Sequence, residues 1–286
     1  MQIKQAVDGA ATRFAALGIE QASVDAELLA AHVLRVSRGE LGAKMVIGDG
    51  FDDKAHESFL ALVEKRAERL PLQHLTGVAF FRQLELQVGP GVFVPRPETE
   101  VVAGLAIDAL AVFLKDVQSP IAVDLGTGSG AIALSVAHEV PQAKVFAVEL
   151  NPESIGYTKM NFGRYGANAT LIEGDMADAF ENLNGQVNVL VSNPPYIPID
   201  MVPKDVEVQL HEPSLALYGG ADGMSAVHTV LAVANRLLVS GGRLFIEHAD
   251  IQGPLTRRLA TEAGFIDVLT HQDLAGRDRA LSATKP

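Results

Sequence analysis

The chain is predicted to be an α/β protein: a mainly parallel sheet closed at one edge by an antiparallel pair, preceded by a small helical region. Three observations predict this. From residue 121 onward, short apolar runs alternate with helical stretches, the pattern of a parallel sheet with helices packed on its faces. The last two runs, 265–271 and 279–283, are separated only by residues 273–278, which suits an antiparallel pair. The first seventy residues carry apolar side chains at helical spacing instead.

That first region reads as helices over 3–17, 23–35 and 53–70, with Ser23 and Asp25 as a start signal and Gly48-Asp49-Gly50 as a break before the third. Phe80-Phe81 and Leu84-Glu85-Leu86-Gln87-Val88 suggest a two-stranded ribbon, and Gly89-Pro90-Gly91 marks a linker. Pro97 suits a first helical position, where its missing N–H has no partner to lose, and Glu98 and Glu100 favour the helix dipole. A helix is therefore predicted over 98–114. The domain expectation is a helical domain over 1–75, a hairpin linker over 76–97 and a catalytic domain over 98–286.

In the last of these, Ile121-Ala122-Val123-Asp124-Leu125 is read as a strand, followed by a glycine-rich turn and a helix over 131–139. A second strand, Lys144-Val145-Phe146-Ala147-Val148, ends in Glu149, and a third lies around Thr170-Leu171-Ile172. Val187-Asn188-Val189-Leu190-Val191 is the fourth and 242–247 the fifth. Such uninterrupted apolar runs are what strands buried on both faces require.

Composition excludes several classes. With 286 residues, 48% apolar and 20% charged, the chain can bury a sizeable core. A formal net charge of −12 argues against affinity built on neutralising a run of phosphates, although Arg257, Arg258, Arg277 and Arg279 could form a local basic patch. The absence of cysteine excludes disulfides and thiolate chemistry and is compatible with a reducing cytoplasm. The longest apolar stretch, 101–114, is interrupted by Asp108 and too short to span a bilayer. None of the eight histidines forms a metal-ligand pair, so no metal is expected. A cytoplasmic monomer is the expectation.

The chemistry is concentrated at the strand ends, where open α/β sheets bind ligands. Asn193-Pro194-Pro195-Tyr196 follows the fourth strand. Its prolines stop the ladder, have no N–H, and leave a stiff segment rich in acceptors. The Asn193 side-chain oxygen and the Pro194 carbonyl can together receive both hydrogens of a planar –NH2 group, with the Tyr196 ring on its face. Upstream, Gly126-Thr127-Gly128-Ser129-Gly130 lets a ligand approach the backbone at a helix amino terminus. Its G-x-G-x-G spacing and the acid Asp124 before it depart from a dinucleotide fingerprint; a carboxylate there repels pyrophosphate and suits a cationic ligand. Glu149 is placed to accept from two ribose hydroxyls. In Glu173-Gly174-Asp175-Met176, Asp175 either accepts from an adenine amino group, with Met176 on the ring, or caps a helix over 177–180.

A ribosyl-adenine carrying positive charge, opposite a site for an –NH2 group, describes S-adenosylmethionine and an amide or amine acceptor. At these residues the chain resembles the class I methyltransferases, in particular the amino-methylating branch that carries Asn-Pro-Pro-Tyr. His74-Leu75-Thr76-Gly77, Phe93-Val94-Pro95-Arg96-Pro97-Glu98-Thr99-Glu100, His211-Glu212-Pro213, Gly220-Ala221-Asp222-Gly223 and Ile246-Glu247-His248 further resemble the HemK-type peptide chain release factor N5-glutamine methyltransferases.

The resemblance implies a Rossmann-like seven-stranded sheet and S-adenosylmethionine as methyl donor, with S-adenosylhomocysteine as product. It also implies methylation of the glutamine in the Gly-Gly-Gln motif of release factors; the amino-terminal helices are expected to help hold that protein, because a free glutamine side chain would hardly need a second domain. Asn193, Pro194 and Tyr196 are then the catalytic residues and Pro195 a further substrate contact. Asp124, Gly126, Thr127, Gly128, Ser129, Gly130, Glu149, Asp175, Met176 and Asn193 would hold the cofactor. A ribosomal-protein glutamine methyltransferase and an adenine-N6 nucleic-acid methyltransferase are the alternatives. Arg96 either docks substrate or pins the linker, and Glu247-His248 either serves the cleft or is a buried structural pair.

Overall fold

The computed structural model describes residues 1–166 and 168–286. The chain forms two compact units, one comprising Met1–Val78 with Lys204–His211 and the other Ala79–Pro203 with Glu212–Pro286.

The first unit is helical: α1 (Ile3–Ala16), α2 (Ala22–Leu34), α3 (Arg38–Ile47), α4 (Asp53–Ala67) and α5 (Leu72–Thr76). Its core gathers one face of each long helix, with Phe14, Leu29, Leu41 and Phe59 fully buried. Two details differ from the sequence expectation. Helix α3 has no counterpart in that expectation, yet Ser37 and Glu40 form a complete capping box at its start. Helix α2 begins one residue before Ser23, with no side-chain cap, and Asp25 points inward, where its carboxylate accepts from Arg66 Nε of α4 at 2.7 Å. A buried acid needs a partner more than a helix end needs a cap. The same Arg66 also pairs with Glu207 at 2.8 Å, and Arg69 reaches Glu207 at 3.0 Å, so the distant segment Lys204–His211 is fixed to this unit by a two-arginine clamp.

The second unit opens with the ribbon β1 (Val78–Phe81) and β2 (Leu84–Gln87), then α6 (Thr99–Phe113). Strands and helices then alternate: β3 (Ile121–Leu125), α7 (Ala131–Glu139), β4 (Lys144–Glu149), α8 (Ile155–Tyr165), β5 (Ala169–Glu173) and β6 (Val187–Ser192). After the excursion to α9 (Val206–His211) come α10 (Ser214–Leu217), α11 (Ser225–Leu237), β7 (Leu238–Glu247), α12 (Gly253–Glu262), β8 (Ile266–Gln272) and β9 (Asp278–Thr284). The seven-stranded sheet has the order β5-β4-β3-β6-β7-β9-β8, parallel through β7, with β9 antiparallel to β7 and to β8.

Alternation along each strand builds two cores. Ala122, Val145, Ala147, Val189, Val191 and Phe245 meet α6 and α7 on one face. Val123, Leu125, Val148, Leu190, Leu244 and Ile246 meet α11 and α12 on the other. Both faces being covered, every residue of β6 is buried. Residues 176–180 form turns, so the expected helix there is absent and Asp175 caps none.

Candidate active site

The sheet reverses its order at β3: the chain winds outward through β4 and β5, then crosses back to place β6 on the other side. The carboxyl ends of β3 and β6 flank that switch point, the place where open sheets leave a crevice. Leu125 is in register with Val148 on one side and Ser192 on the other, and Ser192 Oγ donates to the Leu125 carbonyl at 2.7 Å. The glycine turn and the Asn193 segment therefore leave adjacent strands from the same level.

The turn is satisfied from within. Gly126 and Thr127 N–H both donate to the Val148 carbonyl, at 3.1 and 3.0 Å, and Gly130 N–H donates to the Thr127 carbonyl. Gly128 N–H donates to Glu149 Oε2 at 2.6 Å. Such a turn has few amide donors left for a phosphate, which separates it from a dinucleotide loop. What it offers is room: Gly126 and Gly128 have φ of +72° and +57°, and a side chain added at either would meet nothing within 4 Å. Gly130 is different, because a Cβ there would press on Leu134 and Phe162. From behind, Thr158 Oγ1 donates to the Gly128 carbonyl at 2.7 Å, and Asn161 Nδ2 donates to the Ser129 carbonyl at 2.9 Å. Neither α8 residue stands out in the sequence, because a buried Thr and Asn in a helix carry no local signal.

The acids divide into two kinds. Glu149, the last residue of β4, accepts from Gly128 N–H on one oxygen and Asn151 N–H at 2.7 Å on the other, which leaves lone pairs on both for a ligand diol. Asp124 was expected to touch the cofactor, but it is 1% exposed and holds the turn instead, accepting from the Thr127 hydroxyl at 2.6 Å and Ala133 N–H at 3.1 Å through Oδ2. Its Oδ1 is buried with no hydrogen-bond partner. Burial pushes its pKa up to about 7, against the Thr127 and Ala133 bonds, with the Glu149 charge adding to the rise. An open glycine cradle beside Glu149, whose oxygens keep lone pairs to spare, and Asp124, whose buried Oδ1 has no partner, fits a cationic ribosyl ligand such as S-adenosylmethionine.

The Asp124 shift has a consequence for stability. Its carboxyl binds a proton on folding between its ordinary value of 3.8 and about 7, so its contribution favours the folded state at low pH and is lost as pH rises through that window. Asp124→Asn retains an oxygen for Thr127 and Ala133 and removes the titration. The variant is expected to match the wild type near pH ~4 and to be the more stable by up to roughly 2–4 kcal/mol at pH ~8, checked by denaturant unfolding across that range.

At the end of β6, Asn193 Nδ2 donates to Thr99 Oγ1 of α6 at 3.3 Å. Among the described residues no protein group donates to Asn193 Oδ1 or to the Pro194 carbonyl. Pro195 and the Tyr196 backbone are seated on glycines: a side chain at Gly219 would collide with the Pro195 carbonyl, and one at Gly223 with the Tyr196 carbonyl, which also accepts from Gln252 Nε2 at 2.8 Å. The Tyr196 hydroxyl is turned away from solvent and donates to Glu247 Oε1 at 3.4 Å, and burial raises its pKa. Glu247 is 1% exposed; burial pushes it up to about 7, opposed first by a hydrogen bond from Thr99 and then by Arg279, with Glu98 adding to the rise.

Asp175 is exposed, and its Oδ1 accepts from Ala177 N–H at 2.9 Å in a tight turn beyond β5. Met176 is half-buried against the α11 face of the core. Arg96 pairs with the buried Glu212 at 2.6 Å and lies over Phe93, which pins the linker. His248 is fully buried, with Nδ1 on the Ala249 carbonyl at 2.8 Å, a packed residue rather than a cleft one. The arginines that could have formed a basic patch are paired within the chain: Arg277 and Arg279 with Asp273, Arg258 with Glu262, and Arg257 with the Thr270 hydroxyl.

A Rossmann-like sheet ending in an antiparallel hairpin, with an open glycine cradle and an acceptor segment at its switch point, defines a class I methyltransferase. Residues 90–213 match the model of the methyltransferase small domain, and residues 5–77 that of the PrmC N-terminal domain. A 16S rRNA N2 G1207 methyltransferase from T. thermophilus, solved in complex with AdoMet and guanosine, superposes with a TM-score of 0.51 at 22% identity over 73% of this chain and 50% of that one, a likeness of fold. The release factor glutamine methyltransferase of Streptomyces coelicolor is 46% identical over 96% of this chain and 95% of its own length. That of Mycolicibacterium smegmatis is 42% identical over 99% and 98%. The chain belongs to the release factor glutamine methyltransferase family.

Proposed function

We propose that the protein transfers a methyl group from S-adenosylmethionine to the side-chain amide nitrogen, N5, of the glutamine in the Gly-Gly-Gln motif of peptide chain release factors, leaving S-adenosylhomocysteine. The observation that carries this reading is the pair of acceptors, Asn193 Oδ1 and the Pro194 carbonyl, left without a protein donor beside the glycine cradle. The relatives' names supply the acceptor protein.

When bound, S-adenosylmethionine supplies a methyl group activated by its sulfonium. Gly126 and Gly128 give it backbone clearance and Glu149 takes the ribose hydroxyls, while Asp175 and Met176, just past β5, are assigned to the adenine end. The difficult partner is the amide, whose nitrogen lone pair is delocalised into its carbonyl. Asn193 and Pro194, accepting the two N–H groups, fix the plane of the amide, aim the nitrogen, and stabilise the positive charge that grows on it until, after transfer, one of its protons is lost to solvent. The Tyr196 ring, held by its hydroxyl on Glu247, bounds the flat face. Positioning of this kind is worth up to roughly 7–11 kcal/mol of barrier, more than the two to four decades expected of a general base. The helical unit is assigned to holding the protein substrate, because a lone glutamine side chain needs no second unit for recognition. Among the described residues no helix is long and apolar enough to cross a membrane, and a cytoplasmic setting follows from a substrate that works on ribosomes.

Peptide mass spectrometry of a release factor incubated with the protein and S-adenosylmethionine is expected to show one added methyl group on the Gly-Gly-Gln glutamine. Modification of ribosomal protein or of nucleic acid, with the release factor untouched, would overturn the assignment. The net charge of −12 disfavours the nucleic-acid outcome.

A further inference from the structure

The amides of the glycine turn are bonded within the turn and to β4, but the carbonyls of Gly128 and Ser129 lean on α8. What fixes that part of α8 lies further back. Asn161 is fully buried, and its carboxamide serves three backbone groups: Oδ1 accepts from Gln87 N–H at 2.7 Å, and Nδ2 donates to the Gln87 and Ser129 carbonyls, each at 2.9 Å. The two N–H bonds of a carboxamide lie in one plane, so Gln87 at the end of β2 sets the direction in which the second reaches Ser129. The group cannot turn over, because Gln87 N–H needs its oxygen and the Gln87 carbonyl its nitrogen.

A second asparagine repeats the arrangement on the ribose side. Asn151 N–H donates to Glu149 Oε1 at 2.7 Å, while its Nδ2 donates to the Gly91 carbonyl at 2.9 Å and its Oδ1 accepts from Glu153 N–H at 3.0 Å. The chain between these two ties is laid close against its neighbours. A Cβ at Gly89 would run into the Tyr157 hydroxyl, and one at Gly91, where φ is +85°, would stand 2.5 Å from Glu153 Cβ. Leu84 and Leu86, just before, are buried in the same core cluster as Ile132 and Leu134 of α7.

We infer that residues 87–91 form the back of the cofactor site, with Asn161 and Asn151 as positioning residues that pass their placement on to the glycine turn and to Glu149. The inference rests on the reading of that cradle as the S-adenosylmethionine site. One backbone segment, itself assigned no ligand contact, thereby sets the spacing between the turn that gives the ligand clearance and the acid that takes its diol. Pairing of β3 with β4 ends at Leu125 and Val148, and the groups that face the ligand lie beyond it, so the sheet alone does not fix their separation. With the Asn161 carboxamide fully buried, a bond lost there is not remade with solvent.

The test is calorimetry with S-adenosylhomocysteine on full-length Asn161→Ala, Gly91→Ala and Tyr165→Phe, with Tm and kcat at saturating S-adenosylmethionine for each. Tyr165 is the control. Its hydroxyl ties Glu85 of the same strand to the same helix, accepting from the N–H at 3.3 Å and donating to the carbonyl at 3.1 Å, but neither bond goes to the turn or to the Glu149 loop. All three substitutions are expected to lower Tm. Asn161→Ala and Gly91→Ala are expected to raise Kd by about 10- to 30-fold with kcat within about threefold of wild type, and Tyr165→Phe to leave Kd within about twofold. A purely structural role would move Tm in all three and Kd in none. The inference is overturned if either Asn161→Ala or Gly91→Ala binds within about threefold of wild type, or if Tyr165→Phe weakens binding as far as they do. Should Asn161→Ala not fold, Gly91→Ala against Tyr165→Phe decides between the same outcomes. The wild-type titration separates the inference from the reading beneath it: if the wild type binds no S-adenosylhomocysteine, the cradle assignment falls and takes the inference with it; if it binds and the variants match it, only the role of residues 87–91 falls.

Discussion

Asn193→Ala is expected to lower kcat on release factor by on the order of 10³-fold while changing S-adenosylmethionine affinity by less than about tenfold. The side chain contributes at two levels. Its Oδ1 is one of two acceptors for the glutamine N–H groups, and its loss leaves one N–H unpaired in a partly desolvated site and the amide plane free to turn about the remaining bond. Its Nδ2 satisfies the buried Thr99 hydroxyl oxygen, 3.3 Å away, so truncation also releases the segment from α6. The cofactor cradle, by contrast, is held by Thr158, Asn161 and Asp124, whose bonds go to the turn and not to Asn193. The two effects are therefore separable by calorimetry with S-adenosylhomocysteine beside single-turnover methylation. A variant with full turnover at saturating cofactor and weakened binding would show that Asn193 serves the cofactor and leaves the amide to other groups.

Strands β3, β4 and β6 are legible in the sequence almost to the residue, because a strand buried on both faces has little freedom of composition: β3 and β4 lie where their apolar runs lie and β6 gains only Ser192, whereas β7 starts at Leu238, four residues before its predicted run. Local chemistry also marks the prolines after β6 and the glycine turn after β3. Three things are not legible, for one shared reason. Asp25 reads as a helix start and is instead the partner of an arginine 41 residues away. Thr99, 94 residues before Asn193, reads as an ordinary first-turn residue, and its contact with Asn193 depends on α6 packing against β6. Lys204–His211 folds with the helices of the amino terminus although it lies in the second unit's stretch of sequence. Each is a polar contact whose partner is fixed by topology, and polar contacts leave no periodicity in the chain. Helix α3 is a different failure: its capping box is present in the sequence, but Gly39 and Gly42 weaken the helical pattern that follows.

Glu149→Gln is expected to weaken S-adenosylmethionine binding by on the order of 10²-fold, with kcat at saturating cofactor within about fivefold of wild type. The substitution looks conservative and is not, because both carboxylate oxygens already accept backbone N–H groups, Gly128 at 2.6 Å and Asn151 at 2.7 Å. A carboxamide can satisfy only one of them; its –NH2 must face the other N–H, so either the glycine turn or the Asn151 loop is pushed out of place. The Asn151 side chain carries the disturbance further, since its Nδ2 holds the Gly91 carbonyl of the linker at 2.9 Å. Glu149→Ala removes the clash but also both acceptors, and should bind as poorly or worse. Because Asn193 and Pro194 leave a different strand, the amide remains aimed once enough cofactor is supplied, and titration calorimetry together with kcat at high cofactor concentration separates the two. Equal affinity in wild type and Glu149→Gln would mean that the ribose lies elsewhere and that Glu149 serves only to shape the turn.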